Sequence, residues 1–392
     1  MFLPLGDQPN PRGVPWVTYA LIGANVAVYL LITLPLSGTA PDPTDPMLRE
    51  YLRVISEHLP QQVPLREILR HTSAYDLFVF EWGFRPMAPA LSTLFTSLFL
   101  HAGFMHLFGN MLFLWIYGDN VEYRLGRLAY LFWYLATGAV ATLFHTLFAL
   151  RSPLPLVGAS GAISGVLGFY FVWFPRNRVR VFLFLFPFFM DVVMLPARLV
   201  LGLFIIVDNL LPFLLEHGVD SGVAHGAHIG GFLAGLAVAR FMNRREVAEQ
   251  PRDFRVAGEK PAEETTISQA LADGRFAEAA QRYFALESEA TRRLLSPSES
   301  LALADWLRAH GHPRAALVVC RRQLRDYPHG PGAAEAHLGA GLVQLQDLDE
   351  TVPAYQHFID ALDLEPSPEV ARAAHAGLDA IAARQKRRLG RA

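Results

Sequence analysis

The sequence predicts an all-α, polytopic membrane protein with a soluble helical extension, and three observations carry that prediction. Hydrophobic residues make up 52% of the 392 residues and charged residues only 18%. The charges crowd into the stretch from Thr39 to Arg70 and into everything after Arg240. The rest of the chain contains six apolar segments close to the roughly 20 residues that a helix needs to cross a bilayer. These are Val17 to Leu36, Leu94 to Tyr117, Leu128 to Leu150, Leu156 to Phe174, Leu199 to Leu215 and Val223 to Phe241.

The first segment reads as a span rather than a cleaved signal, because Arg12 is the only basic residue ahead of it and its apolar run starts late. Arginines set the orientation of the others. Arg124 and Arg127 follow the second segment, Arg176, Arg178 and Arg180 the fourth, and Arg240, Arg244 and Arg245 the sixth. Short cytoplasmic loops favour such charge, so both termini are expected in the cytoplasm, in a bacterial inner membrane. The run from Val181 to Leu195 is interrupted by Pro187 and Asp191 and is expected to be an interfacial loop. Were it a seventh span, the sixth segment and the tail would change sides.

The expected organisation is a six-span membrane domain over residues 1–245, a polar linker over 246–266 and a cytosolic helical domain over 267–392. Two prolines and several acids mark the linker. Beyond it, Gly274-Arg275-Phe276-Ala277-Glu278-Ala279 recurs as Gly311-His312-Pro313-Arg314-Ala315-Ala316, and more loosely from Asp349 to Ala354. This spacing resembles tetratricopeptide helical hairpins, at a period slightly longer than their usual one of roughly 34 residues. Such repeats expose a concave groove, so a protein partner is expected there; a plain helical bundle is the alternative. A net charge of -2 implies no nucleic-acid partner. The single cysteine, Cys320, excludes an intramolecular disulfide and Cys-x-x-Cys metal chemistry.

Candidate chemistry begins at Val157-Gly158-Ala159-Ser160-Gly161, where a serine between glycines lies in an uncharged apolar run. Serine needs a base to become nucleophilic, and His228, in Ala227-His228-Ile229-Gly230-Gly231, lies at a matching depth in the sixth segment. Two small-residue faces, Ser160/Ser164/Gly168 and Ala227/Gly231/Gly235/Ala239, allow the helices that carry them to approach closely. His106 and Asn110 lie four residues apart on one helix face and offer donors for a developing oxyanion. The plainer alternatives are packing stripes, a serine bonded to its own helix, and interhelical hydrogen bonds that only hold the bundle together. A zinc site of His225 with His101 or His106 lacks a His-Glu-x-x-His motif or a nearby cysteine, so neither metal nor cofactor is expected. Asp208-Asn209 falls in the middle of the fifth segment, where ionisable groups usually face a cavity. A water-facing or gating role and a polar packing pair are both open for it.

Three separated motifs, His101-x(4)-His106-x(3)-Asn110, Gly158-x-Ser160-Gly161 and Ala227-His228-x-Gly230-Gly231, together with Tyr117-Gly118-Asp119-Asn120-Val121-Glu122, resemble the rhomboid intramembrane serine proteases over about residues 10 to 245. The resemblance implies a Ser160–His228 dyad without a third carboxylate. It also implies an oxyanion site of Asn110, His106 and the Ser160 N–H, a structural His101, and Glu122 ordering a loop, or simply an interfacial carboxylate. The implied substrates are transmembrane segments of other membrane proteins, cut within the lipid bilayer. Where some relatives carry an aromatic against the catalytic histidine, this chain has Ser164, so the histidine must be oriented by other contacts. Ser92-Thr93-Leu94-Phe95 stands where some relatives carry a Trp-Arg pair, so the first loop is expected to be organised differently. A non-cutting scaffold is disfavoured because both Ser160 and His228 are present. A transporter is disfavoured because the polar groups gather near one face.

Overall fold

The computed structural model describes residues 2–11, 13–58, 64–185, 189–215, 223–248, 251–254 and 266–389. The chain is mostly helical and divides into two compact units. The first gathers Met1–Asp7, Gly13–Trp173 and Val179–Ala239; the second gathers Gln8–Arg12, Phe174–Arg178 and Arg240–Ala392.

In the first unit, strand β1 (Phe2–Gln8) precedes helix α1 (Trp16–Ser37), and three short helices follow: α2 (Pro46–His58), α3 (Leu65–His71) and α4 (Ala74–Trp82). A capping box in which Ser73 and Asp76 exchange hydrogen bonds starts α4. Next come α5 (Leu91–Phe99), α6 (Phe104–Leu125), α7 (Arg127–Thr146) and α8 (Ser160–Trp173). Strands β2 (Arg178–Leu185) and β3 (Phe189–Pro196), then α9 (Ala197–Leu215) and α10 (His225–Ala248), complete the series.

Among the described residues, α1, α7 and α9 are long and apolar enough to cross a membrane, and α5 with α6 makes a fourth if counted as one broken span. The expected span from Leu94 to Tyr117 is thus corrected, because α5 and α6 meet at 90°. The break falls at His101, whose carbonyl oxygen accepts from the Tyr75 hydroxyl at 2.8 Å and whose N–H donates back to it at 3.2 Å. A backbone engaged by a side chain in this way leaves the helical ladder.

The expected interfacial loop is also corrected. Residues 178–185 and 189–196 are strands, and with β1 they form a three-stranded sheet in the order β1-β2-β3. The all-α reading therefore misses one small sheet. Its signal is short: Val179 and Val181 are fully buried while Arg178 and Arg180 are exposed, which is the two-residue alternation of a strand. Downstream, the continuous apolar run hides the alternation.

In the second unit, helix α11 (Ile267–Ala272) pairs with α12 (Phe276–Ala285), and α13 (Pro297–Ala309) with α14 (Pro313–Asp326). Helix α15 (Ala333–Leu342), continued by a π turn over Val343–Asp347, pairs with α16 (Thr351–Asp363), and α17 (Pro368–Leu389) follows. The three hairpin turns contain Gly274, Gly311 and Asp349, all at positive φ. These are the positions at which the sequence pattern recurs. Much of the expected linker, 249–250 and 255–265, lies outside the described residues. Its Asp253 carboxylate accepts the Arg314 and Ala315 N–H groups at the start of α14, and Phe254 packs on Phe284 and His312.

Candidate active site

Two helices in backbone contact build the site. A Cβ on Gly231 would collide with the Gly161 carbonyl oxygen, and one on Gly235 with that of Gly165. A Cβ on Gly168 would strike the Phe232 carbonyl oxygen. Glycines at this spacing let α8 and α10 touch main chain to main chain. On α8 the Gly161 and Gly165 carbonyls and Gly168 touch α10, while Cβ atoms on Gly161 and Gly165 would meet Ala141 and Thr137 of α7.

Ser160 opens α8, so its N–H is among the first-turn donors that no helical carbonyl can satisfy. A cavity of about 720 Å³ is lined by Ser160, His228, His106 and Asn110, with Ser164, Phe204 and His145 also in its wall. No carboxylate stands among its lining residues that the structure describes. The side chains expected to act together therefore share one space, and the first unit supplies all of them.

Gly158 sets the approach of His106. Its φ is +122°, which a side chain rarely tolerates, and a Cβ there would stand 2.8 Å from His106 Nε2 and 3.7 Å from Ser160 Oγ. His106 and Ser160 thus face each other across a position that only glycine can fill. Asn110 is buried, and its Nδ2 has no hydrogen-bond acceptor among the described residues. His101 is buried behind His106, ring edge to ring at 5.1 Å, and Tyr75 of the first loop holds its backbone.

His228 is held by two side chains of one neighbouring helix. Its Nδ1 lies 2.5 Å from Asn209 Oδ1, and the Phe204 ring lies along its face at 6.4 Å. Both contacts come from α9, in which Ile206–Leu210 is a π turn. Of the polar pair singled out in the fifth segment, Asn209 is buried against His228 and Asp208 is exposed. Phe204 supplies an aromatic ring beside His228, position 164 being serine. Neither it nor His145 carried a sequence signal, beyond the rarity of a histidine near the end of an apolar run.

Glu122 lies away from the cavity. Its carboxylate accepts the Val17 and Thr18 N–H groups at 3.0 and 2.8 Å and the Thr18 hydroxyl at 2.8 Å. It therefore caps the N-terminus of α1, where the helix dipole favours negative charge. His225 sits beside His228, with ring centroids 6.5 Å apart. The one group of three metal-ligand side chains that converges among the described residues is His337, His357 and Asp360, in the second unit.

Residues 88–245 match the rhomboid domain. The chain is 24% identical over 246 residues to the mitochondrial Rhomboid protein 1 of Saccharomyces cerevisiae, covering 62% of this chain and 58% of that protein. It is 34% identical over 146 residues to the rhomboid protease GluP of Bacillus subtilis, covering 37% of this chain and 25% of that protein. To the mitochondrial RHOMBOID-like protein 6 of Arabidopsis thaliana it is 25% identical over 229 residues, covering 57% of this chain and 67% of that protein. These matches support the rhomboid family and an integral membrane protein, and they span little more than half of the yeast relative and a quarter of the Bacillus one.

Proposed function

We propose that this chain, with its rhomboid domain at residues 88–245, is an intramembrane serine endopeptidase that cuts transmembrane segments of other membrane proteins. The observation that carries the reading is the shared cavity of Ser160, His228, His106 and Asn110. In an apolar wall, four such side chains are costly to keep unless they act.

In the proposed reaction, Ser160 Oγ attacks the scissile carbonyl while His228 Nε2 takes its proton. The resulting oxyanion accepts from Asn110 Nδ2, from His106 and from the Ser160 N–H. Collapse of the tetrahedral intermediate breaks the C–N bond, and His228 returns the proton to the leaving amine. Water, deprotonated by His228, then attacks the acyl-enzyme and frees Ser160. A substrate helix hides its own carbonyls, so the segment must unwind near the cavity. Entry from the side fits α9, of which only 17% of the apolar window is buried, against 33% for α7.

The proposed membrane domain has six spans, formed by α1, α6, α7, α8, α9 and α10, with both termini cytoplasmic. The proposed bilayer is a bacterial inner membrane; named relatives come from mitochondria and chloroplasts as well as from Bacillus subtilis. We read α11 to α16 as three tetratricopeptide-like hairpins that offer a groove to a protein partner. The recurring left-handed turn residues support that reading.

Reconstitution with a generic transmembrane substrate tests the enzyme. The wild-type chain should cut, and Ser160→Ala and His228→Ala should not. Equal cutting by all three, or none by any, would remove the main support.

A further inference from the structure

The proposed base is oriented by a side chain outside all of the sequence motifs. Asn209 is 1% exposed and sits in the π turn of α9, where its Nδ2 donates to the Phe204 carbonyl oxygen at 2.9 Å. With the NH2 group committed there, the carbonyl Oδ1 faces His228 Nδ1 at 2.5 Å. The opposite amide assignment would set oxygen against the Phe204 oxygen, so one arrangement alone satisfies both contacts. In it, His228 Nδ1–H donates to Asn209. That tautomer leaves the Nε2 lone pair available to Ser160, which lines the same cavity as His228.

The backbone is built for this contact. A π turn adds one residue to a helical turn and rotates the rest of the helix about its axis, and the bond from Asn209 to the carbonyl five residues back closes that wider turn. The same turn brings the Phe204 ring against the imidazole.

We propose that Asn209 is the positioning residue for His228, its amide oxygen taking the place that a carboxylate occupies in a Ser-His-Asp triad. This rests on the Ser160–His228 reading. A neutral amide accepts the Nδ1 hydrogen bond before and after His228 takes the serine proton, and it neither gains nor loses a proton itself. Its contribution is the choice of tautomer and the direction of the ring.

The test uses the full chain with a transmembrane substrate, measuring kcat and KM separately alongside labelling of Ser160 by a fluorophosphonate. Asn209→Leu, of similar size but without an acceptor, should lower kcat by at least about tenfold and leave KM within about twofold. Asn209→Asp restores the acceptor and should bring kcat back to within about threefold of wild type. Nitrogen-15 resonances of His228 in the wild-type chain should report the Nδ1–H tautomer, a readout independent of how the variants fold. A wild-type kcat in Asn209→Leu, an equal loss in Asn209→Asp, or an Nε2–H tautomer would overturn the role while leaving the dyad standing. Failure of the wild-type chain to label or cut would overturn both.

A second inference rests on the other unit. His337 of α15 and His357 of α16 face each other with Nδ1 atoms 2.9 Å apart, and Asp360, one turn beyond His357, brings a carboxylate oxygen within 4.8 Å of both. Asp360 Oδ1 also accepts from Arg176 Nε at 2.8 Å, and Arg176 Nη2 pairs with Asp363 at 2.6 Å. The two carboxylates outweigh the one guanidinium, so the cluster carries net negative charge around two imidazoles. We infer that His337, His357 and Asp360 bind a first-row divalent transition ion of the zinc class, which accepts two imidazoles, a carboxylate and an open fourth position. The ion would staple α15 to α16.

Untagged full-length protein, stripped with chelator, should bind about one Zn²⁺ per chain at pH 7.5 by calorimetry and give tetrahedral Co²⁺ absorption. His337→Ala and His357→Ala should each weaken binding by at least about tenfold, and Asp360→Asn should do so with both imidazoles intact. No bound metal, or binding indifferent to all three substitutions, would reduce the cluster to a hydrogen-bonded histidine pair and overturn the site.

Discussion

The α8–α10 contact and helix α9 hold the same histidine by opposite means. Between α8 and α10 there is no room for a Cβ at Gly168, Gly231 or Gly235, and main chain rests on main chain. Helix α9 is largely exposed along its apolar window and reaches the site through one amide and one ring. The difference separates two tasks. Backbone contact fixes how far His228 stands from Ser160, and α9 fixes which way its ring points. On the proposed reading, a substrate entering past α9 would meet the helix that orients the proposed base.

The largest effect should come from breaking the rigid side. Gly235→Val places branched carbon against the Gly165 carbonyl oxygen and should abolish both folding and cleavage, since overpacking of even a tolerant core costs about 1–3 kcal/mol. Gly202→Val on α9 meets open space, with nothing within 4 Å of the added Cβ, and should leave the thermal midpoint nearly unchanged. Midpoints in detergent, read beside cleavage, check both. If the two variants behave alike, the contrast between the helices is wrong.

Next in size is the proposed oxyanion donor on α6. Asn110→Ala removes an amide with no acceptor of its own among the described residues, so stability should hardly change. The kcat should fall by about 10²- to 10³-fold, the usual cost of one oxyanion donor. A fall in the thermal midpoint with kcat preserved would return Asn110 to a packing role.

A smaller loss should follow from loosening the α9 side. Phe204→Ala removes the stacked ring and leaves the carbonyl oxygen that anchors Asn209. A drop in kcat of about threefold to tenfold is expected, at near-constant KM. A larger loss than in Asn209→Leu would make the ring the principal guide of the imidazole.

The four lining residues were legible because polar side chains are rare in apolar runs and each rarity asks for a reason. Ser160, His228, His106 and Asn110 could be proposed together without coordinates. Asn209 could be seen as unusual but not given a role, because a π turn shifts the register and no residue in Ile206–Leu210 announces it. The glycine contacts were visible only as a spacing. On a helix with small residues at 160, 161, 164, 165 and 168, two neighbouring stripes fit the same four-residue spacing, and the sequence does not say which helix each faces: Gly161 and Gly165 meet α7, and Gly168 meets α10. The β2–β3 strands were hidden by their own hydrophobicity. In the second unit the recurring turn was visible because a left-handed residue is a local requirement, met by Gly274, by Gly311 and by Asp349.

The smallest effect belongs to a helix pair that lies outside the contrast and sharpens it. Helices α1 and α6 are joined at the Glu122 carboxylate by three hydrogen bonds from Val17 and Thr18. Glu122→Ala leaves two first-turn N–H groups and a buried hydroxyl without their acceptor. Lost caps of this kind cost about 0.5–2 kcal/mol, so the thermal midpoint should fall while kcat, measured well below it, stays at the wild-type value. Glu122→Gln keeps one acceptor oxygen and should recover part of the midpoint. If Glu122→Ala instead lowered kcat at an unchanged midpoint, the carboxylate would be acting on the cavity from a distance. The anchoring of α1 would then belong to the site that α8, α9 and α10 otherwise build between them.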